Sequence, residues 1–268
     1  MNAIVPNGFS ARAMLALYLR EARYEFLRLL RTPAFSVPTL VFAPMFYLMF
    51  GVLLNRGNGP AASYLMATYT VFGVMGPGLF GFGVGLAMDR ERGLLTLKRV
   101  QPVPALAPLL AKVGMAMLFA AIIGVMLLAL GMMLGGVQMT SSQVALLLCV
   151  AVLGVVPFCA LGLLIGTLVS GSGAPAVVNL VYMPMALLSG LWLPLRMLPE
   201  VIQQMAPLWP AWHLGQLALK VVGQDAGKPV WMHVAVLLGF TGICLFLAQR
   251  RLQRACGCRD PRPATATG

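Results

Sequence analysis

The chain has 268 residues, of which 60% are hydrophobic and only 10% charged, with a net charge of +12 and a mean hydropathy of +0.88. Soluble domains are nearer half apolar, so this composition excludes an ordinary soluble domain. The surplus cations flank hydrophobic runs instead of clustering on a soluble face, which argues against nucleic acid and for an all-α polytopic membrane protein held in a lipid bilayer.

Residues 1–31 do not read as a signal peptide, because the apolar stretch MLALYL is short and arginines follow it. As a helix, this region places Leu15, Tyr18, Ala22, Phe26 and Leu29 on one stripe. Arg20, Arg23, Arg28, Arg31, Glu21 and Glu25 lie on the other side. A basic amphipathic helix of this kind is expected in the membrane interface, making residues 1–33 an N-terminal interfacial element. Thr32-Pro33 ends it, since the residue before proline avoids helical angles.

Six spans are expected next, each close to the roughly 20 residues that cross a bilayer. They cover about 37–54, 64–88, 113–134, 144–169, 174–192 and 230–248, together forming a transmembrane unit over 34–248. GGVQMTSSQ separates the third from the fourth, and SGSG separates the fourth from the fifth. Residues 249–268 form a basic tail. With both termini in the cytoplasm, fifteen Lys and Arg face inside and only Arg56, Arg196, Lys220 and Lys228 face outside. That bias satisfies the positive-inside rule.

Small and ring-closed residues inside the spans speak about packing. Gly81/Gly85, Gly131/Gly135 and Gly162/Gly166 are GxxxG pairs that let helix backbones approach. Pro44, Pro77, Pro157 and Pro184 each remove one helical hydrogen bond, as hinges or as static kinks. Cys149, Cys159 and Cys244 fall in apolar runs as small hydrophobes, and Cys256 and Cys258 read as incidental thiols in the tail.

Catalytic chemistry is not expected of this chain. No Asp, Glu, Lys or Arg lies in any expected span, whereas ion-coupled carriers use such groups as relays. The chain carries no HExxH and no GxxxxGK[ST], so no catalytic or metal residue is assigned. Ser172 in SGSG is expected at the inner face and His213 and His233 near the outer one. About 30 Å of hydrocarbon would then separate nucleophile from base, which need contact of about 3 Å.

Residues 89–104, DRERGLLTLKRVQPVP, hold six charges in sixteen residues, while 113–195 hold none. Asp89, Arg90, Glu91 and Arg92 follow the second span, and Gly93 interrupts them. As a short helix, Leu94, Leu97 and Val100 make one face and Arg92, Thr96 and Arg99 another, until Pro102 and Pro104 stop it. A two-faced rod of this kind suits docking to a soluble partner, with Lys98 and Arg99 among the flanking charges. A solvated loop obeying only the positive-inside rule would account for the arginines but not for the Leu-x-x-Leu spacing, Glu91 or the proline stop.

These features together resemble the membrane subunit of an ABC-2 type exporter, a permease that works with a separate ATPase. ERGLLTLKRVQPVP is similar to the family's ERxxGTLexLxxxP stretch, with Leu94-Leu95 departing from its Gly-Thr-Leu opening. SGLWLPLRMLPEVIQQMAPLWPAWH, residues 189–213, is similar to the family's SGxxxPxxxLP followed by a downstream Pro and His. The resemblance implies that residues 89–112 form a cytoplasmic coupling loop. Asp89, Arg90, Glu91, Arg92, Gly93, Leu94, Leu97, Lys98 and Arg99 would then face the ABC ATPase subunit. It implies short re-entrant outer helices over 193–229, marked by Ser189, Gly190, Pro194, Pro199, Pro207 and His213. It also implies no cofactor on this chain, ATP and Mg on the partner, a second permease copy or paralogue, and a bacterial cytoplasmic (inner) membrane location. The expected cargo is apolar or amphiphilic: a drug, a lipid or a lipid-linked glycan. A non-transporting scaffold or sensing subunit is the alternative.

Overall fold

The computed structural model describes residues 11–55, 58–93 and 107–257, and all regular structure among them is helical. The first helix, α1, spans Ala11–Leu30. Part of its apolar stripe packs against another helix. Phe26 meets Phe119 with ring centroids 5.0 Å apart, and a Cβ added at Gly114 would sit 3.3 Å from the Ala22 methyl. Small residues on both sides let α1 lie against a neighbouring helix, so Ala22 and Phe26 of the stripe pack on protein.

Thr32 adopts an extended conformation and Pro33 opens α2 (Pro33–Phe46), which continues as a π-helix over Tyr47–Leu53. Asn58 caps α3 (Gly59–Glu91) by accepting from the Ala61 N–H at 3.2 Å. At about 1.5 Å per residue α3 is about 50 Å long, and most of its side chains are buried. It is the axis of the fold. Helix α4 covers Ala107–Met133, and a Thr140–Gln143 capping box starts α5 (Ser141–Gly154). Val155 breaks regularity just before α6 (Val156–Leu168), because Pro157 lacks the N–H that would continue α5. Pro44, Pro77 and Pro184 sit near or within helices that run on past them.

Five helical stretches are long and apolar enough to cross a membrane: Pro33–Leu53, Gly59–Glu91, Pro108–Met133, Ser141–Leu168 and Val230–Gln253. The fifth expected span is shorter than the sequence suggests. Helix α7 covers only Ala174–Leu188, because Gly190 turns to a φ of 71° and Leu191 and Trp192 leave the helix. The segment expected to be short outer helices contains a 3₁₀ turn (Leu195–Met197), α8 (Glu200–Met205), a second 3₁₀ turn (Ala206–Leu208) and α9 (Pro210–Val221). Helix α10, Val230–Gly257, closes the described chain.

Of the three GxxxG pairs, Gly162/Gly166 makes the closest backbone contact. A Cβ at Gly162 would lie 2.7 Å from the Gly78 carbonyl oxygen, and one at Gly166 would lie 2.9 Å from that of Gly83. Helices α3 and α6 therefore touch main chain to main chain. The other pairs face side chains: Gly81 meets Met115, Gly131 meets Met66, and Gly135 meets Tyr47. Phe42, Phe46, Tyr69 and Phe72 join Tyr182 and Trp192 in one aromatic cluster, with Phe72 stacked on Tyr182 at 5.1 Å. Tyr69 donates to the Trp192 carbonyl and Tyr182 to that of Phe72, both at 3.1 Å, which ties the end of α7 to α3. Cys159 and Cys244 are buried free thiols, and Cys149 is exposed and free.

Candidate functional site

Two polar clusters stand at opposite ends of α3. At its C-terminal end, Asp89 is 3% exposed although Arg90, Glu91 and Arg92 follow it in sequence. A lone carboxylate there would be unfavourable by several kcal/mol, on the order of what removing one partner of a buried pair costs, so it must be matched. Lys112, in the first two turns of α4, supplies its ammonium 3.1 Å from Asp89 Oδ2, and Arg28 of α1 places Nη2 3.2 Å from Asp89 Oδ1. Glu25 completes the set, 3.5 Å from Arg28 Nη1 and 3.7 Å from Lys112 Nζ. Two acids and two bases from three helices thus form one neutral knot. Residues 90–111 run between Asp89 and Lys112, so the knot closes the base of that loop.

The rest of the charged stretch divides around the knot. Arg90 bends back and donates to the Gly166 carbonyl of α6 at 2.8 Å. Glu91 is exposed and its carboxylate lies against Gly171 of the SGSG turn, whose Cβ would also sit 3.0 Å from Met88 Cα. Arg92 caps α3 by donating its N–H to the Met88 carbonyl at 3.0 Å. Gly93 has a φ of 70°, which only glycine adopts at low cost, and it turns the chain away. Leu94, Leu97, Lys98 and Arg99, with the expected helix and its proline stop, lie outside the described residues, as do Cys258 and the basic tail beyond it.

At the other end of α3, the residues expected in the outer segment come together. Ser189 is buried at the end of α7, and Gly190 takes its left-handed turn where any side chain would run into Leu195. Pro194 and Pro199 hold extended angles that separate the short turns. The Pro207 carbonyl accepts from His213 Nε2 at 2.9 Å. His213 Nδ1 lies 3.0 Å from Nδ1 of His233 at the start of α10, and both rings are buried. Gln224 donates to the Pro60 carbonyl at 2.9 Å, which fixes this corner at the N-terminal end of α3. Ser172 sits in the turn beside Glu91 and the histidines sit at the far end, so no nucleophile–base pair forms between them. Among the described residues, no three His, Cys, Asp or Glu side chains group as metal ligands.

Sequence reading missed Glu25, Arg28 and Lys112 as members of a site, and His233 as the partner of His213. One signal was available: Lys112 is the last charge before the long uncharged run, and a cation there needs a counter-charge.

The architecture and its buried polar ends define a multi-pass helical membrane protein whose membrane-length helices carry Asp, Glu, Lys and Arg only near their ends. Residues 18–222 match the ABC-2 type transporter family, and the chain belongs to it. It is 29% identical over 244 residues to YvfS of Bacillus subtilis (strain 168), whose name describes it as a transport permease. The match covers 88% of this chain and 98% of that protein. Its role is that of a transport permease, a membrane subunit of a class that generally has no catalytic activity of its own.

Proposed function

We propose that this chain is the permease subunit of an ATP-driven ABC-2 exporter. It crosses the bacterial inner membrane six times, with α7 and its extension through Trp192 as the short fifth span and both termini in the cytoplasm. A separate ABC ATPase subunit, which binds ATP and Mg, docks on residues 89–104. Two permease copies, or this chain and a paralogue, enclose the path of an apolar or amphiphilic cargo.

The observation that carries this reading is the knot of Glu25, Arg28, Asp89 and Lys112. Force applied to the loop between Asp89 and Lys112 reaches α3, α4 and α1 together, because all three share that knot. Docking by ATP-closed partners then favours one packing of the helices over another, and the shift equals the difference in docking affinity between the two packings. Uncharged spans support an apolar or amphiphilic cargo, since no intramembrane ionisable relay is available.

The test is purification of the chain from native membranes, followed by reconstitution. An ABC ATPase should co-purify, and its hydrolysis should rise with drug or lipid candidates. Glu91→Lys should insert normally yet lose that stimulation. Stimulated hydrolysis unchanged in Glu91→Lys, or uphill transport with no ATPase present, would overturn the reading. A scaffold would show neither hydrolysis nor cargo movement.

A further inference from the structure

The two histidines of this chain are its only imidazoles, and they face each other. Their hydrogen bonds assign the protons. The Pro207 carbonyl can only accept, so His213 Nε2 carries a hydrogen and donates at 2.9 Å. A neutral His213 then has a bare Nδ1, and that nitrogen accepts from the Nδ1–H of His233 at 3.0 Å. The chain of donors runs from His233 through His213 to Pro207, and links α10 to the turn that precedes α9.

This arrangement has a limited capacity for protons. A first added proton has one place, Nε2 of His233, and leaves the ring-to-ring bond intact. A second proton has none. Every ring nitrogen would then carry a hydrogen, and two N–H groups would oppose each other across 3.0 Å.

The surroundings disfavour even the first charge. The charged groups facing the pair are Lys220 of α9 and Lys228 and Asp225 of the loop 222–229. Lys220 already binds Asp225 at 3.0 Å, and Lys228 stands 5.2 Å over the Trp212 ring, which packs edge-on against His213. Helices α5 and α6 contain no charged residue, and the charges of α3 are confined to its far end. Arg196 lies beside Tyr64, and Glu200 is exposed at the start of α8. Two lysines against one carboxylate leave a buried imidazolium uncompensated.

We infer that His213 and His233 form an acid-released latch, which holds the segment 207–221 against α10 while the pair is neutral and frees it when the pair is protonated. Other cross-links at this corner, Gln216 to the Ala226 N–H at 2.8 Å, Gln143 to the Val221 carbonyl at 3.1 Å and Gln224 to the Pro60 carbonyl at 2.9 Å, do not titrate, and Lys220 holds the Asp225 carboxyl below the usual carboxylate range, so the histidine pair is the member sensitive to mild acid. Burial, aided by Lys228, holds the His213 pKa below the ordinary imidazole value of about 6.5. A group depressed in the closed state stabilises that state fully above its ordinary pKa. The contribution is lost as pH falls through the lower, closed-state value. Which compartment's acidity is sensed rests on the orientation proposed above; the latch itself does not.

Hydrogen exchange of the purified full chain in lipid nanodiscs tests this, at pH 7.5 and 5.5 with intrinsic rates corrected. Protection over 207–216 should fall by about tenfold or more at the lower pH, while the middle of α3 stays protected. His233→Asn keeps a donor toward His213 Nδ1 and should flatten the response. His213→Gln keeps a donor toward Pro207, gives up the pair and should flatten it too, which covers the case in which the first variant fails to fold. Equal wild-type protection at both pH values would overturn the latch, as would an undiminished pH response in either folded variant. A response abolished by EDTA would also overturn it, in favour of a metal held between the rings.

Discussion

The two ends of α3 solve the same problem with different chemistry. At its C-terminal end, buried charge is balanced by opposite charge: Asp89 and Glu25 against Lys112 and Arg28. At its N-terminal end, the buried polar pair is neutral, and His213 and His233 satisfy one another and Pro207 by hydrogen bonds. Of these side-chain types only imidazole ordinarily changes charge between pH 5 and 8. The ionic end is therefore suited to carrying force at constant strength, and the histidine end to responding to its solution. Burial alone does not decide which; the identity of the partner does.

The sharpest break in this comparison is removal of one charge at the ionic end. Lys112→Met leaves two buried carboxylates facing Arg28 alone, and should destabilise the corner by about 3–5 kcal/mol. Yield of folded protein and protection at the ends of α3 and α4 should both fall. The double variant Asp89→Asn with Lys112→Met removes one acid and one base and leaves Glu25 balanced by Arg28, so it should recover part of the loss, and a double variant no better than the single one would argue against a direct pair. Next in size is Gly162→Leu, which drives a side chain into the Gly78 and Leu79 carbonyls of α3. Overpacking of this kind costs about 1–3 kcal/mol or more, and thermal stability in detergent should drop accordingly. The same change at Gly81, which faces the flexible Met115 side chain, should cost less.

Smaller effects separate the ends further. Tyr182→Phe removes the bond to the Phe72 carbonyl while keeping the stacked ring, and should lower stability by about 1 kcal/mol, read by the same melt. Asp225→Asn should have the least effect. The Lys220 hydrogen bond holds the Asp225 carboxyl below the usual carboxylate range, so its contribution is present above about pH 4 and lost as pH falls through the lower value. Exchange at loop 222–229 in the wild type should therefore not change between pH 7 and 5 on account of Asp225. The acid response between those values belongs to the histidines.

Much of this molecule was legible in its letters. Charge-free runs placed the helices, because charge cannot be left unpaired in hydrocarbon, and Thr32-Pro33 marked the end of α1. Other features were not legible. The shortness of α7 was hidden because Leu191 and Trp192 continue the apolar pattern after Gly190 has already turned the backbone. The π-helix at Tyr47–Leu53 leaves no periodic trace in seven residues. The ionic knot joins positions 25, 28, 89 and 112, and Glu25 and Arg28 read on their own as a solvated helix face. Only the docking of α1 on α4 turns Glu25 inward. The DRER stretch was read as facing the partner, yet Asp89 is buried and the exposed Arg90 reaches back to the Gly166 carbonyl, while Glu91 and Arg92 are exposed.

The most direct measurement is the stimulated ATP hydrolysis of the reconstituted complex, compared among wild type, Asp89→Asn, Lys112→Met and the double variant that carries both changes. Cargo-stimulated hydrolysis is expected in the wild type, with its loss in each single variant at equal amounts of assembled complex and its partial return in the charge-balanced double variant. Full stimulation in both single variants, or a complex that never contains an ATPase, would contradict it.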